Sequence, residues 1–368
     1  MNLFPVSKES IEKGAKILKE GGLVAFPTET VYGLGADAFN PKALAKIFEV
    51  KKRPFFDPLI IHISSIETLK EVTDLSLLNE ETKDKLIILA ENLWPGPLSI
   101  VLPKNKKIPG IATAGLQTAA IRFPDNETAV KLISFSTGAV AAPSANPFGS
   151  LSPTRAEHVL NSIGSNVDLI LDGGPARIGI ESTVIDITGK RIKILRPGGT
   201  PKEAIEKLIG QVESNVYNEQ KTINKQSDNN KEQNFSSPGQ LKSHYAPNKP
   251  LYILEREEMI NQPYEKNNAY IFFDNTEKNI WLNNIEIKNP SVDLRGLTQK
   301  KNYKILSESG DVLEAASRLF EILHEIDKSE AEKIFAQLAP PHGLGEAIND
   351  RLRRGAVSNT YINNVINK

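Results

Sequence analysis

Three adjacent cations, Lys51-Lys52-Arg53, stand where a helical pattern reaches Pro54 and an apolar run with a single histidine, PLIIHI, begins. Polar side chains recur in this way at the ends of other apolar runs. After LVAF comes PTETVYGLG, with Thr28, Glu29, Thr30 and Tyr32; Arg122 stands in AAIRF; Ser144 and Asn146 follow AVAA; Ser182 and Thr183 lie in GIESTV; Arg196 lies in KILRPG. Taken singly each has a plainer reading. The three cations complement a helix dipole, Arg122 makes an edge salt bridge, and SAN is a turn. Together they describe an anion cleft, because ligands of open α/β sheets gather at strand ends. Hydroxyls with several arginines suit a phosphate-bearing anion gripped by guanidinium forks. No Ser/His/Asp or Cys/His nucleophile accompanies them, so the chemistry they imply is positioning and charge stabilisation at a phosphoryl centre, with a nucleotide as the natural ligand.

The elements that must hold these groups alternate. Ser7 caps a helix with Ile11, Ala15 and Leu18 on one face, ended by Gly21-Gly22. LVAFP reads as a buried strand. Asn40-Pro41 opens a helix with Leu44, Ile47 and Phe48 inward, and PLIIHI is the next strand. A helix from Asn79 to about Leu93 stops at WPGP, and LSIVLP and TAAIRFP follow as strands. Then come a helix from Asn126, the strand GAVAAP, a capped helix in SPTRAEHVLNSI, the strands VDLILDGG, STVIDIT and RIKILRPGG, and a helix in TPKEAIEKLIG with Thr200 as cap and Pro201 at its first position. This is an α/β domain with a twisted mixed sheet. Further on, PLYILE, NAYIFFD and KIFAQLAP read as strands. A helix over about 311–327 buries Leu313, Ala316, Leu319, Phe320 and Leu323, and GLGEAINDRLRRGA is a last helix, making a smaller α/β domain.

The length of 368 residues favours about two domains. Between them ESNVYNEQKTINKQSDNNKEQNFSSPGQ has too little apolar surface to offset its ordering entropy. The expected division is 1–212, a linker over 213–248, and 249–368. Lys plus Arg and Asp plus Glu are both 45, so a whole-chain basic field for nucleic acid is absent, though a local basic cleft is not. There is no cysteine, which excludes disulfides, thiolate zinc sites and cysteine nucleophiles. The first twenty residues lack the apolar core of a signal peptide, and no run approaches the roughly 18–20 apolar residues that cross a bilayer. A soluble cytoplasmic protein is expected. GLGADA matches a dinucleotide loop only loosely, with no acidic residue ending a following strand. No P-loop sequence occurs, and the five histidines lack metal-ligand spacing.

Read in order, FPTETVYGLGADAFN, KKRPFFDPLIIHI, WPGPLSIVL, TAAIRFP, AAPSANPFGSLSPT, ILDGG, GIESTVIDI and ILRPGG resemble the successive motifs of the YrdC domain. SPGQLKSHYAP with the α/β domain after it resembles the two-domain Sua5 form of the Sua5–YciO–YrdC family. The resemblance implies a YrdC-like twisted mixed sheet with helices, a linker, and a smaller Rossmann-like α/β domain. It implies a nucleotidyltransferase, a threonylcarbamoyl-AMP synthase joining L-threonine, bicarbonate or CO2, and ATP, with Mg2+ shielding the triphosphate. The product would supply tRNA-modifying threonylcarbamoyl transferase machinery that makes N6-threonylcarbamoyladenosine, with weak tRNA binding and no membrane partner. Carried over motif by motif, Thr30, His62, Arg122 and Ser182 contact L-threonine, with Ala142 lining that pocket. Arg53, Asp57, Thr118, Ser144, Ser152 and Arg196 contact ATP, and Tyr245 closes over it. Lys51 and Arg53 are the catalytic cations, Lys51 facing phosphate. Asp57 stands where asparagine is common, and Gln240 where methionine is frequent. The end of the linker, 237–247 with His244-Tyr245, is a candidate lid that keeps water from a hydrolysis-prone intermediate. Two other readings compete: an RNA-binding module, and a carbamoyl-adenylate-forming enzyme with a different substrate, whose usual zinc-finger cysteines this chain lacks.

Overall fold

Side-chain caps decide where the first helices begin. Helix α1 (Lys8–Lys19) starts with a reciprocal pair in which the Ser7 hydroxyl accepts the Ser10 amide and the Ser10 hydroxyl accepts the Ser7 amide. Helix α2 (Pro41–Lys51) starts where the Asn40 side chain accepts the amides of Lys42 and Ala43, with Pro41 first in the helix. It ends at Lys52, whose left-handed φ of 52° turns the chain toward Pro54. Helices α3 (Leu69–Val72), α4 (Glu80–Leu93, capped by Asn79), α5 (Glu127–Phe135, capped by Asn126), α6 (Ala156–Ser162) and α7 (Lys202–Ile209) follow. The computed structural model describes residues 2–214, 244–288 and 303–357, so most of the expected linker, 215–243, lies outside the described residues.

Two starts differ from expectation. Helix α7 has Pro201 at its cap, because Thr200 is held elsewhere: its amide donates to the Thr183 hydroxyl at 3.1 Å, and that hydroxyl donates to the Thr200 carbonyl at 2.6 Å. Helix α6 begins at Ala156 without a side-chain cap, the Thr154 amide donating instead to the His158 ring at 3.3 Å.

The described residues form two units, one of 2–148 with 152–214, the other of 149–151 with 244–288 and 303–357. The first unit carries β1 (Leu3–Pro5), β2 (Val24–Phe26), β3 (Gly33–Asp37), β4 (Ile60–Ile63), β5 (Leu98–Pro103), β6 (Thr118–Arg122), β7 (Ala139–Ala141), β8 (Leu169–Asp172), β9 (Thr183–Asp186), β10 (Lys193–Arg196) and β11 (Glu213–Ser214). They join in one mixed sheet of order β1-β8-β2-β3-β7-β4-β6-β5-β9-β10-β11. The GLGADA segment is β3, and its glycines make room for neighbouring strands: a Cβ at Gly35 would lie 2.8 Å from the Phe26 ring and 2.9 Å from Val140. Residues 213–214, expected in the linker, extend the sheet as β11 beside β10.

The second unit holds a parallel sheet of order β12-β15-β13-β14, from β12 (Leu251–Leu254), β13 (Asn268–Phe272), β14 (Tyr303–Ile305) and β15 (Lys333–Gln337). Its helices are α8 (Arg256–Asn261), α9 (Asn275–Lys288), α10 (Val312–Lys328) and α11 (Gly345–Gly355). The parallel α/β form agrees with expectation, but β14 is too short and polar to show in the sequence. Leu313, expected inside, is exposed. The first turn of α10 directs Val312 toward Gly343, and the buried stripe starts at Ala315 and Ala316. Among the described residues no helix is long and apolar enough to cross a membrane.

Candidate active site

Strand pairing builds the functional face. Along β4, β6, β5 and β9, Ile61, Ile63, Ile121, Ile100 and Ile185 enter the main core. Side chains alternate along a strand, so their neighbours face the other way. There Ile60, Ala120, Val101, Val184 and Leu195 form a small apolar floor. The next rung on that face is polar: His62 lies opposite Arg122, and Arg122 lies opposite Ser99. Residues directly opposite in a sheet share a face, so three polar side chains stand abreast, all buried. Thr118 opens β6 on the same face, four residues before Arg122 and opposite Pro103.

Histidine 62 is neutral in this setting. Burial first, and the positive charge of Arg122 second, bring its pKa down to about 3. Its Nδ1–H donates to the Ile60 carbonyl at 3.3 Å, which leaves Nε2 as an acceptor. The unfolded chain takes up a proton near pH 6.5 that the folded chain refuses until about pH 3. Stability is therefore unaffected by this group above pH 6.5 and falls below it, by about 1.4 kcal/mol per pH unit while the gap lasts. Urea titrations between pH 7.5 and 4.5 are expected to show a shallower acid loss for His62→Gln than for the wild type. Parallel pH curves would mean that His62 keeps its ordinary basicity.

The cationic side of the site is organised around the end of α2. Lys51 is buried, and its Nζ donates to the carbonyls of Ser144 at 2.6 Å and Asn146 at 2.5 Å. Burial, reinforced by Arg53, holds its pKa well below the usual lysine value. Two of its hydrogens thus pin the SAN loop. Arg53 donates from Nε to the Asp57 carbonyl at 3.0 Å and from Nη2 to the Pro58 carbonyl at 2.8 Å, and it pairs with the Asp57 carboxylate at 2.8 Å. Burial pushes the Asp57 carboxyl up, while Arg53, Lys51 and Arg196 pull it down. An acidic residue at this point is therefore compatible with an anion site, because Arg53 answers its charge directly.

Arg196 clamps Ser182: its Nη2 reaches the Ser182 carbonyl at 2.8 Å and the hydroxyl at 3.2 Å. The Ser182 hydroxyl lies 2.8 Å from that of Ser99. Ser182 thereby joins the cationic side to the His62–Arg122–Ser99 rung. The Ser152 hydroxyl donates to the buried Glu181 carboxylate. Thr30 sits beside Thr28, hydroxyl to hydroxyl at 2.8 Å; since Thr28 donates to the Val31 carbonyl, Thr30 supplies the proton between them. Ala142 donates its amide to the Ile60 carbonyl, two residues before His62, and Ser144 bridges Gly33. Tyr245 belongs to the second unit, where its ring packs on Phe320 and under the Arg351 guanidinium.

Two residues singled out at strand exits turn out to brace the fold. The Tyr32 hydroxyl donates to the Gly174 carbonyl at 2.7 Å, and Thr183 ties down Thr200. Two residues of the candidate site, Ser99 and Glu181, are absent from the sequence expectations. Ser99 could have been found from alternation, since it faces away from Leu98 and Ile100 in LSIVLP. Glu181 precedes Ser182 in GIESTV, and Glu29, expected at a strand exit, meets Arg122 there. Among the described residues no group of three His, Asp or Glu side chains is placed to hold a metal ion.

The chain matches known proteins along most of its length. A Sua5–YciO–YrdC family profile, described as telomere recombination, matches residues 16–198, and one described as the threonylcarbamoyl-AMP synthase C-terminal domain matches 200–357. The chain is 39% identical over 351 residues to the threonylcarbamoyl-AMP synthase of Pyrococcus abyssi, spanning 95% of each chain. It is 36% identical over 351 residues to that of Bacillus subtilis, spanning 94% of this chain and 92% of the relative. The crystal structure of P. abyssi Sua5 complexed with L-threonine superposes with a TM-score of 0.76 at 34% identity, covering 97% and 98% of the two chains.

Proposed function

Because the chain belongs to the Sua5–YciO–YrdC family and carries the Sua5 C-terminal domain, we propose that it is an L-threonylcarbamoyladenylate synthase. It joins L-threonine, bicarbonate or CO2, and ATP into threonylcarbamoyl-AMP and pyrophosphate, a nucleotidyl transfer. The product goes to the threonylcarbamoyl transferase machinery that modifies tRNA adenosine, in the cytoplasm. The observation that carries this reading is the continuity of the site: a polar rung of neutral histidine, arginine and serine meets a three-cation cluster through Ser182.

The two halves suit the two substrates. On the rung, Arg122 offers a guanidinium to the amino acid carboxylate. His62 offers an acceptor nitrogen to the hydroxyl, and Thr30, Ser182 and Ala142 complete the wall. On the cationic side Arg53 and Arg196, with Lys51 behind the SAN loop, neutralise charge as the carbamate oxygen attacks the α-phosphorus and pyrophosphate leaves. Thr118, Ser144 and Ser152 hydrogen-bond the nucleotide, and Tyr245 enters the nucleotide set on its HYAP motif alone. The carbamate is short-lived in water, so the burial of every rung residue serves the chemistry directly. Mg2+ arrives with ATP as part of the substrate, and its preference for phosphate oxygens and water over a protein cage fits a site whose Asp57 and Glu29 carboxylates are each set against an arginine.

Pyrophosphate release from ATP and bicarbonate tests the reading. It is expected to require L-threonine and Mg2+. L-serine, short of one methyl, is expected to be used about 10–200-fold less efficiently. Release that is independent of threonine, or none under varied Mg2+, rejects the synthase assignment and makes tRNA affinity the next thing to measure.

A further inference from the structure

Glu29 is the most demanding side chain in the first unit. It is 2% exposed and lies inside the Thr28–Val31 turn that the Thr28 hydroxyl closes, directly before Thr30. Its carboxylate lies 2.7 Å from Arg122 Nη2. Yet neither carboxylate oxygen nor that Nη2 has an aligned hydrogen bond to any described residue. Among the described residues, the Arg122 guanidinium is otherwise held only by a 3.4 Å bond from Nε to the Gly96 carbonyl. A buried ion pair kept for structure needs further hydrogen bonds to offset its desolvation. This one has opposite charges side by side, each with hydrogen-bonding capacity in reserve. That is the complement of an α-amino acid zwitterion, whose carboxylate and ammonium groups are separated by a single carbon.

We propose that Glu29 receives the α-ammonium group of the amino acid substrate while Arg122 takes its carboxylate, and that Glu29 then accepts one ammonium proton. The inference rests on the synthase reading and adds a proton acceptor to it. The step balances: the ammonium nitrogen gives a proton to the Glu29 carboxylate and becomes a neutral amine. The amine lone pair adds to the carbon of bicarbonate, the C–OH bond breaks, and the departing hydroxide takes a second nitrogen proton and leaves as water. The carbamate remains. Arg122 faces Glu29 from β6, and His62 stands beside Arg122 on β4, so Glu29 is the carboxylate that meets the arginine.

The test compares calorimetric binding of L-threonine with that of the matching 2,3-dihydroxybutyrate, in which a hydroxyl replaces the ammonium. Wild type and Glu29→Gln are used, with ATP binding as a check that the variant is folded. The wild type is expected to prefer threonine by at least about tenfold, and Glu29→Gln to lose that preference while still binding ATP. In pyrophosphate release, Glu29→Gln is expected to lose about 10²–10⁴ in kcat/KM for threonine at neutral pH. Part of this should return at alkaline pH, where threonine supplies its own free amine, and Glu29→Asp should restore part of it at neutral pH. A variant that keeps both the preference and the rate overturns the assignment of Glu29. So does a wild type with equal affinity for the two ligands, a readout that requires no variant. A wild type that binds no threonine overturns the synthase reading and this inference together.

Discussion

Arg53→Ala is expected to lower threonine-dependent pyrophosphate release by about 10²–10³-fold, the usual cost of removing one preorganised charge from a transition-state site. The same substitution also removes scaffolding. Arg53 bonds the carbonyls of Asp57 and Pro58, pairs with the Asp57 carboxylate and stacks over the Phe148 ring at 5.7 Å. Breaking a buried pair costs about 3–5 kcal/mol when a charge is left behind. Here burial already pushes the Asp57 carboxyl up, so loss of Arg53 moves it further toward the neutral form and relieves part of that cost. The double variant Arg53→Ala/Asp57→Asn is therefore expected to regain most of the lost stability in urea titrations and almost none of the activity. If the double variant recovers both, Arg53 is a brace for the 53–58 turn and the nucleotide is held elsewhere.

Gly198→Ala should be as damaging, for a reason that concerns backbone alone. A Cβ at Gly198 would lie 2.3 Å from the Ser182 carbonyl carbon, 2.4 Å from the Glu181 oxygen and 2.4 Å from the Thr183 nitrogen. No rotamer relieves contact with main chain, so the RPGG and GIEST segments must separate. Those segments carry Arg196 and Ser182, which are bonded to each other, and the Gly199 amide donates to the Glu181 carbonyl beside them. Overpacking of this kind costs about 1–3 kcal/mol, and a shift of about 1 Å in a reacting group costs about 100-fold in rate. Steady-state kinetics should show the KM for both ATP and threonine rising, since Ser182 touches both halves of the site. Gly110→Ala is the control, its Cβ meeting nothing within 4 Å. Unchanged stability and KM in Gly198→Ala would show that the two segments can part without moving the site.

The sequence by itself determined what is local. Asn40, Asn79, Asn126 and Asp311 each cap a helix because a short side-chain acceptor satisfies amides two or three residues ahead. Period-two alternation in LSIVLP is enough to turn Ser99 away from Leu98 and Ile100. Motif likeness named candidate site residues stretch by stretch, because each motif is contiguous. Tertiary structure decided everything that depends on which strand lies beside which. Alternation states the face of a residue but not its neighbour, so the rung that sets Arg122 between His62 and Ser99 appears only once β6 lies between β4 and β5. The same holds for Lys51, which reads as a helix-end cation and turns inward to carbonyls 93 and 95 residues away. It holds also for Glu29, a polar residue in a turn until the fold sets it against Arg122. Charges that meet across such distances leave no periodic trace in a sequence, since their pairing follows from strand order, and strand order is fixed by the packing of the whole sheet.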